Sequence, residues 1–164
     1  MLKFLSGIAI IAFMTWCGYL LAQKHRKRKL FFTELNDFNE RFLNEILYYR
    51  RPMREFIDVY EYRGEFQTLL VVFFKDLEND EDNGSIRESL EACAFLSKDE
   101  RGSVLDYFLM IGKGDSASQK NYFSAQKVAL GKWKSDSVEA CNRYGNLYVK
   151  IGFLFGLLIL ILII

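Results

Sequence analysis

Both extremities of this 164-residue chain are hydrocarbon, and that constrains the fold more than anything between them. After Lys150 come fourteen apolar residues, Ile151 to Ile164, and Phe4 to Ala22 is nineteen residues without a charge. As a helix the first stretch spans about 28 Å at roughly 1.5 Å per residue, close to the ~30 Å hydrocarbon thickness of a bilayer. The last fourteen give about 21 Å; borrowing Leu147 to Lys150 brings them to roughly 27 Å, with the lysine amine reaching outward. A cleaved signal peptide fits the first stretch poorly, because Leu20 stands where a small residue is wanted and the run is long for a signal core. Bulky Trp16 before Cys17 speaks against a lipoprotein anchor. A buried core helix would show a polar face, and the last run has none. Two membrane spans are expected.

The run QKHRKRK follows the first stretch and packs Lys24, Arg26, Lys27, Arg28 and Lys29 into six positions. Lys3 and the α-amino group oppose it, so the positive-inside bias predicts a hairpin with the middle of the chain in the cytoplasm. Nucleic acid and a specific anionic-lipid site are competing readings; a topology signal with headgroup contact accounts for the run more simply. Outside it, residues 23–147 carry 15 basic against 21 acidic side chains, a net −6. That balance disfavours a nucleic-acid reader. Cys17, Cys93 and Cys141 lack a CxxC spacing, so free thiols are expected, not disulfides or a zinc site.

The middle reads as helices. It holds the chain's one proline, and Phe31, Leu35, Phe38, Phe42, Ile46 and Tyr49 recur at steps of three and four. Pro52 predicts a helix end near Tyr49 or Arg50 and a new start beside it. Met53, Phe56, Ile57 and Tyr60 line the next helix, which Gly64 interrupts. Leu69 to Phe74 could be a buried strand, but with no partner strand in view it reads as a central helix. Ser85/Glu88 and Ser97/Glu100 are capping boxes. Gly112 and Gly114 can end a helix, with Asp115 or Ser116 capping the next and Gln119 reaching back to Ser116. From Ser116 one long helix is expected to carry Phe123, Leu130, Trp133, Cys141, Tyr144 and Tyr148 before it enters the bilayer.

Catalytic constellations are missing. GxxxxGK[ST], GxSxG and HExxH are absent, and the single His25 lies in the basic run, where a solvated or lipid-facing role is expected. Glu78, Asp80, Glu81 and Asp82 lack an EF-hand ligand pattern and read as a solvated loop. No enzyme activity, metal or cofactor is expected. In the spans, Gly18 with Ala22, and Gly152 with Gly156, are small-xxx-small pairs that would let two antiparallel helices approach closely.

Thr15-Trp16-Cys17-Gly18, Glu45-Ile46-Leu47-Tyr48 with Pro52-Met53 and Glu55, Ile111-Gly112 with Asp115 and Gln119, and Gly152-Phe153-Leu154 with Gly156-Leu157-Leu158 together resemble the stage III sporulation protein AB family. The likeness covers nearly the whole length; Tyr49, Arg50 and Arg51 depart from its pattern. That family is similar to the platform proteins of type II secretion and type IV pilus machines. The resemblance implies an all-α fold: a cytoplasmic helical bundle, type II secretion F-like, at 24–147, flanked by transmembrane helices at 1–23 and 148–164. It further implies a non-enzymatic integral-membrane component of the channel complex between mother cell and forespore, whose partners are a secretion-type ATPase, stage III sporulation protein AA, and channel subunits. Glu45, Tyr48, Pro52 and Glu55 would then frame the corner after the first helix, and Gly112, Asp115 and Gln119 the start of the last. Arg50, Arg51 and Arg54 are the exposed candidates for docking an acidic partner surface. A platform subunit of a secretion or pilus machine, and a membrane-anchored sensor or enzyme, are the alternatives.

Overall fold

A computed structural model describes residues 2–45, 60–79, 84–113 and 115–163. Among these the secondary structure is helical: α1 (Leu2–Asn44), α2 (Gly64–Asn79), α3 (Gly84–Ala92), α4 (Lys98–Leu109) and α5 (Ser116–Ile163). Two compact units result. One comprises Met1–Lys29 and Ser135–Ile164, the other Leu30–Lys134, so α1 and α5 contribute to both. Residues 46–59, where the proline corner and its flanking helix were expected, lie outside the described residues, as do 80–83 and Gly114.

The unit Leu30–Lys134 is a bundle around aromatic rings. Phe31, Leu35, Phe38 and Phe42 of α1 are all buried, as their spacing predicts for one helix face. The apolar run of α2 is helical too, since Phe66, Leu69, Leu70 and Phe73 are buried at steps of three and one while Val71 is exposed. Ile86 and Leu90 from α3, and Val104, Tyr107 and Phe108 from α4, close the core. Phe38 sits among Phe42, Tyr62, Phe66, Tyr107 and Phe108 at centroid distances of 5.7 to 6.4 Å. Phe42 meets Phe123 of α5 edge-on at 4.9 Å. Each such ring buried stabilises by roughly 1.5–3 kcal/mol, with offset and edge contacts adding to the area term.

Among the buried polar side chains of this unit, which include Asn36, Glu45 and Asp76, Asn39 lies deepest in the core. Asn39 is fully buried; its side-chain oxygen accepts from the Tyr107 hydroxyl at 3.0 Å and its amide donates to the Phe123 carbonyl at 3.3 Å. It thereby ties α1 to α4 and α5 with both ends satisfied. Burial pushes the Tyr107 phenol well above its ordinary range, so it stays a donor. Nearer the surface, Lys134 pairs with Asp37 at 2.9 Å and Lys127 with Glu40 at 3.9 Å. Both pairs are partly exposed and contribute at most about 1 kcal/mol.

The helix ends follow local chemistry in two of three places. At α4 the Ser97 hydroxyl accepts from the Glu100 amide at 3.2 Å and the Glu100 carboxylate accepts from the Ser97 amide at 2.8 Å, a complete capping box. At α5 Asp115 takes the cap, accepting from the Ser118 amide at 2.9 Å. Gln119 does not reach back to Ser116; its amide donates to the Lys113 carbonyl at 3.3 Å, because Asp115 already holds the cap. The Ser85 box does not form a cap: α3 already includes Gly84, so Ser85 stands inside the helix. Gly64 and Gly112 adopt φ of +64° and +80°, the left-handed region that favours glycine.

Candidate functional site

The unit made of Met1–Lys29 and Ser135–Ile164 is an antiparallel helix pair whose seam is built from missing side chains. Gly18 is seated on the Tyr148 carbonyl, with the Val149 Cα 3.2 Å from where a Cβ would stand. Gly152 is seated on the Met14 carbonyl, and Gly156 leaves 2.8 Å between a notional Cβ and the Ile11 Cα. Gly7, which the sequence did not single out, faces Leu160. Of the four levels 7/160, 11/156, 14/152 and 18/148, α1 supplies the glycine at the outer two and α5 at the inner two. No glycine faces a glycine; each receives the other helix's backbone or bulk. Ala22 is fully buried on the same helix.

Around this seam the large side chains point outward. Phe13, Trp16, Leu21, Leu154, Phe155, Ile161 and Leu162 are each more than half exposed. Both long helices have an apolar stretch long enough to cross a membrane, and only 17% and 11% of those stretches is buried. A core helix in a water-soluble protein would bury most of such a stretch, so these two are consistent with membrane integration. Thr15 satisfies its hydroxyl within the helix by donating to the Ile11 carbonyl at 2.8 Å. Tyr19 carries the Arg26 guanidinium over its ring at 5.3 Å, an aromatic and a cation paired where the apolar stretch gives way to the basic run.

His25 is only partly buried, and it packs on the opposite helix as well as facing outward. It stacks on Tyr144 and Tyr148 of α5 at 5.5 and 5.8 Å, and burial, with Lys24 and Arg28 nearby, holds its imidazole below the ordinary 6.5. Its rings close the seam at the basic end. Among the described residues no cluster of His, Cys, Asp and Glu could hold a metal ion. Cys17, Cys93 and Cys141 are free thiols.

The residues expected to meet a partner divide into two sets. Glu45 is buried just beyond α1. Tyr48, Arg50, Arg51, Pro52, Arg54 and Glu55 lie outside the described residues. Asp115 and Gln119 stand together at the start of α5, where hydrogen bonds from the Ser118 side chain and amide lower the Asp115 carboxyl's pKa. Asp115 caps the helix, and Gln119 is held by the Lys113 carbonyl. Asn39 was missed, although a lone polar residue four positions beyond Leu35, in the buried stripe, was a visible signal.

An aromatic helical bundle with two long, largely unburied apolar helices defines a class of all-α proteins whose long helices are consistent with membrane integration. The particular family follows from comparison: residues 3–164 match the family model described as Stage III sporulation protein AB (spore_III_AB), and the chain belongs to that family. Neither the curated proteins nor the solved structures give a match.

Proposed function

We propose that this protein is an integral-membrane assembly component of the mother cell–forespore channel complex of endospore formation. In this reading residues 1–23 and 148–164 are its spans in the mother-cell or outer forespore membrane, and residues 24–147 form a cytoplasmic bundle of type II secretion F-like character. The bundle docks the secretion-type ATPase stage III sporulation protein AA and seats channel subunits. Family membership over nearly the full chain supports the sporulation role. The observation that carries the mechanical part is the unbroken run of α1 from Leu2 to Asn44 and of α5 from Ser116 to Ile163. Each helix has apolar residues at one end and core aromatics at the other, with no cap or turn between. A helix of that length bends far less readily than a loop, so load applied to the bundle reaches the spans without a flexible joint.

The basic run after Ala22 supports a cytoplasmic bundle, and Arg50, Arg51 and Arg54 are candidate contacts for the ATPase. Photocrosslinking in sporulating cells from positions 50, 51 and 54 tests the partner, with the ATPase as the expected adduct; adducts only to unrelated proteins would refute the docking role. Inserting two glycines after Asn146 tests transmission. The expected result is loss of channel function with normal membrane insertion, and retained function would leave only an anchor.

A further inference from the structure

A second basic surface lies on the bundle, away from the positions the sequence marked. Between α3 and α4 runs a cleft of about 470 Å³. Arg87, Lys98 and Arg101 line it against a single carboxylate, Glu91. Its apolar floor is Leu90 and Leu105, and a Cβ built on Gly102 at its wall meets nothing within 4 Å. We propose that this cleft is a docking site for a carboxylate-rich segment of a partner protein, with one large apolar side chain of that segment seated on Leu90 and Leu105. The proposal rests on the docking role above and gives it a surface and a chemistry.

Three features favour that occupant. First, the unit Leu30–Lys134 holds nineteen acidic and fourteen basic side chains, so three cations around one carboxylate run against the local balance. Secondly, among the described residues no ion pair reaches Arg87, Lys98 or Arg101. Glu100, one position from Arg101, has one carboxylate oxygen engaged by the Ser97 amide. Thirdly, Lys98 is the first residue of α4, where a cation opposes the helix dipole and costs stability. Arg101 is held in place by donating to the Glu91 carbonyl at 3.1 Å, near the C-terminus of α3, which leaves most of its five donors for a carboxylate. Positive potential over an apolar floor suits an acidic segment with an apolar anchor, and an uncharged segment would leave the cations without partners.

The test uses the full-length protein in lipid nanodiscs and the purified secretion-type ATPase as probe. Arg87→Glu with Lys98→Glu reverses the exposed cations and spares Arg101, whose guanidinium also holds α3. The expected result is a Kd weakened by about tenfold or more at unchanged helicity, with wild-type binding falling as salt rises. Wild-type binding that the double variant matches within about twofold would overturn the cleft and leave the docking role standing. If the wild type does not bind the ATPase at all, the docking role falls, and the cleft is judged by photocrosslinking from Gly102 in sporulating cells. An adduct mapped to a carboxylate-rich segment of another channel protein, and lost in the double variant, upholds it. Adducts to lipid, to a second copy, to this chain's own residues 78–82, or none, overturn it.

Discussion

The two units of this chain are packed by opposite means. The bundle is filled with rings: among the described residues Phe38 lies against Phe42, Tyr62, Phe66, Tyr107 and Phe108, and the side chains supply both volume and driving force. The hairpin is packed by absence: Gly18, Gly152 and Gly156 let backbone rest on backbone while the large side chains face outward. Water explains the difference. Where folding removes apolar surface from water, large residues are the stabilising choice; for a helix pair placed in hydrocarbon no such gain would exist, and close approach of the backbones would replace it.

That contrast predicts opposite responses to changes in size. Phe38→Ala should cost about 3–5 kcal/mol, read by Trp133 fluorescence during denaturation of the full-length protein in a Trp16→Phe background. A cost under about 1 kcal/mol would deny the bundle its aromatic centre. In the hairpin the damage comes from enlargement: Gly152→Leu with Gly156→Leu should cost about 2–3 kcal/mol of span association. Disulfide formation between cysteines at positions 15 and 149, with Cys17→Ser, should fall sharply; an unchanged yield would mean that the glycine seam does not hold the spans. Removing the buried hydrogen bonds with Asn39→Ala should destabilise the bundle by about 2 kcal/mol, with the Tyr107 hydroxyl left unsatisfied. Gly112→Ala, forced into a left-handed φ, should cost about 1 kcal/mol, and α5 should still form. The smallest effect is pH-dependent. His25 has a lowered pKa in the folded hairpin, so below about 6.5 the unfolded chain binds the proton first and hairpin stability drops. His25→Gln should abolish the difference in melting temperature between about pH 7.5 and about pH 5.5; a difference of wild-type size would assign it to other groups.

Much of the bundle could be read directly from residue spacing. Phe31, Leu35, Phe38 and Phe42 fall on one helical face whatever surrounds them, and the Ser97/Glu100 box is closed by residues three apart. Where two local solutions competed, spacing could not choose. Asp115 and Ser116 can both cap α5, and once Asp115 does so Gln119 turns to the Lys113 carbonyl. The Ser85/Glu88 box has the right letters, yet α3 opens ahead of it. Asn39 needed the third dimension, because its partners are 68 and 84 residues away. The seam shows the same limit. That Gly152 and Gly156 are small is plain from the sequence, but not that they meet Met14 and Ile11, nor that Gly7 belongs to the same row. Residue size is a local property; its counterpart across the pair is set by how two helices slide into place.

The division of the glycines between the two helices, the outer levels from α1 and the inner from α5, limits how the hairpin can move. Sliding one helix by a single turn, about 5.4 Å, would bring Ile11 against Leu160 in one direction and Met14 against Tyr148 in the other. Both displacements wedge bulk against bulk, so the pair cannot ratchet along its own length. A stroke delivered to this pair must tilt or lift it as one piece.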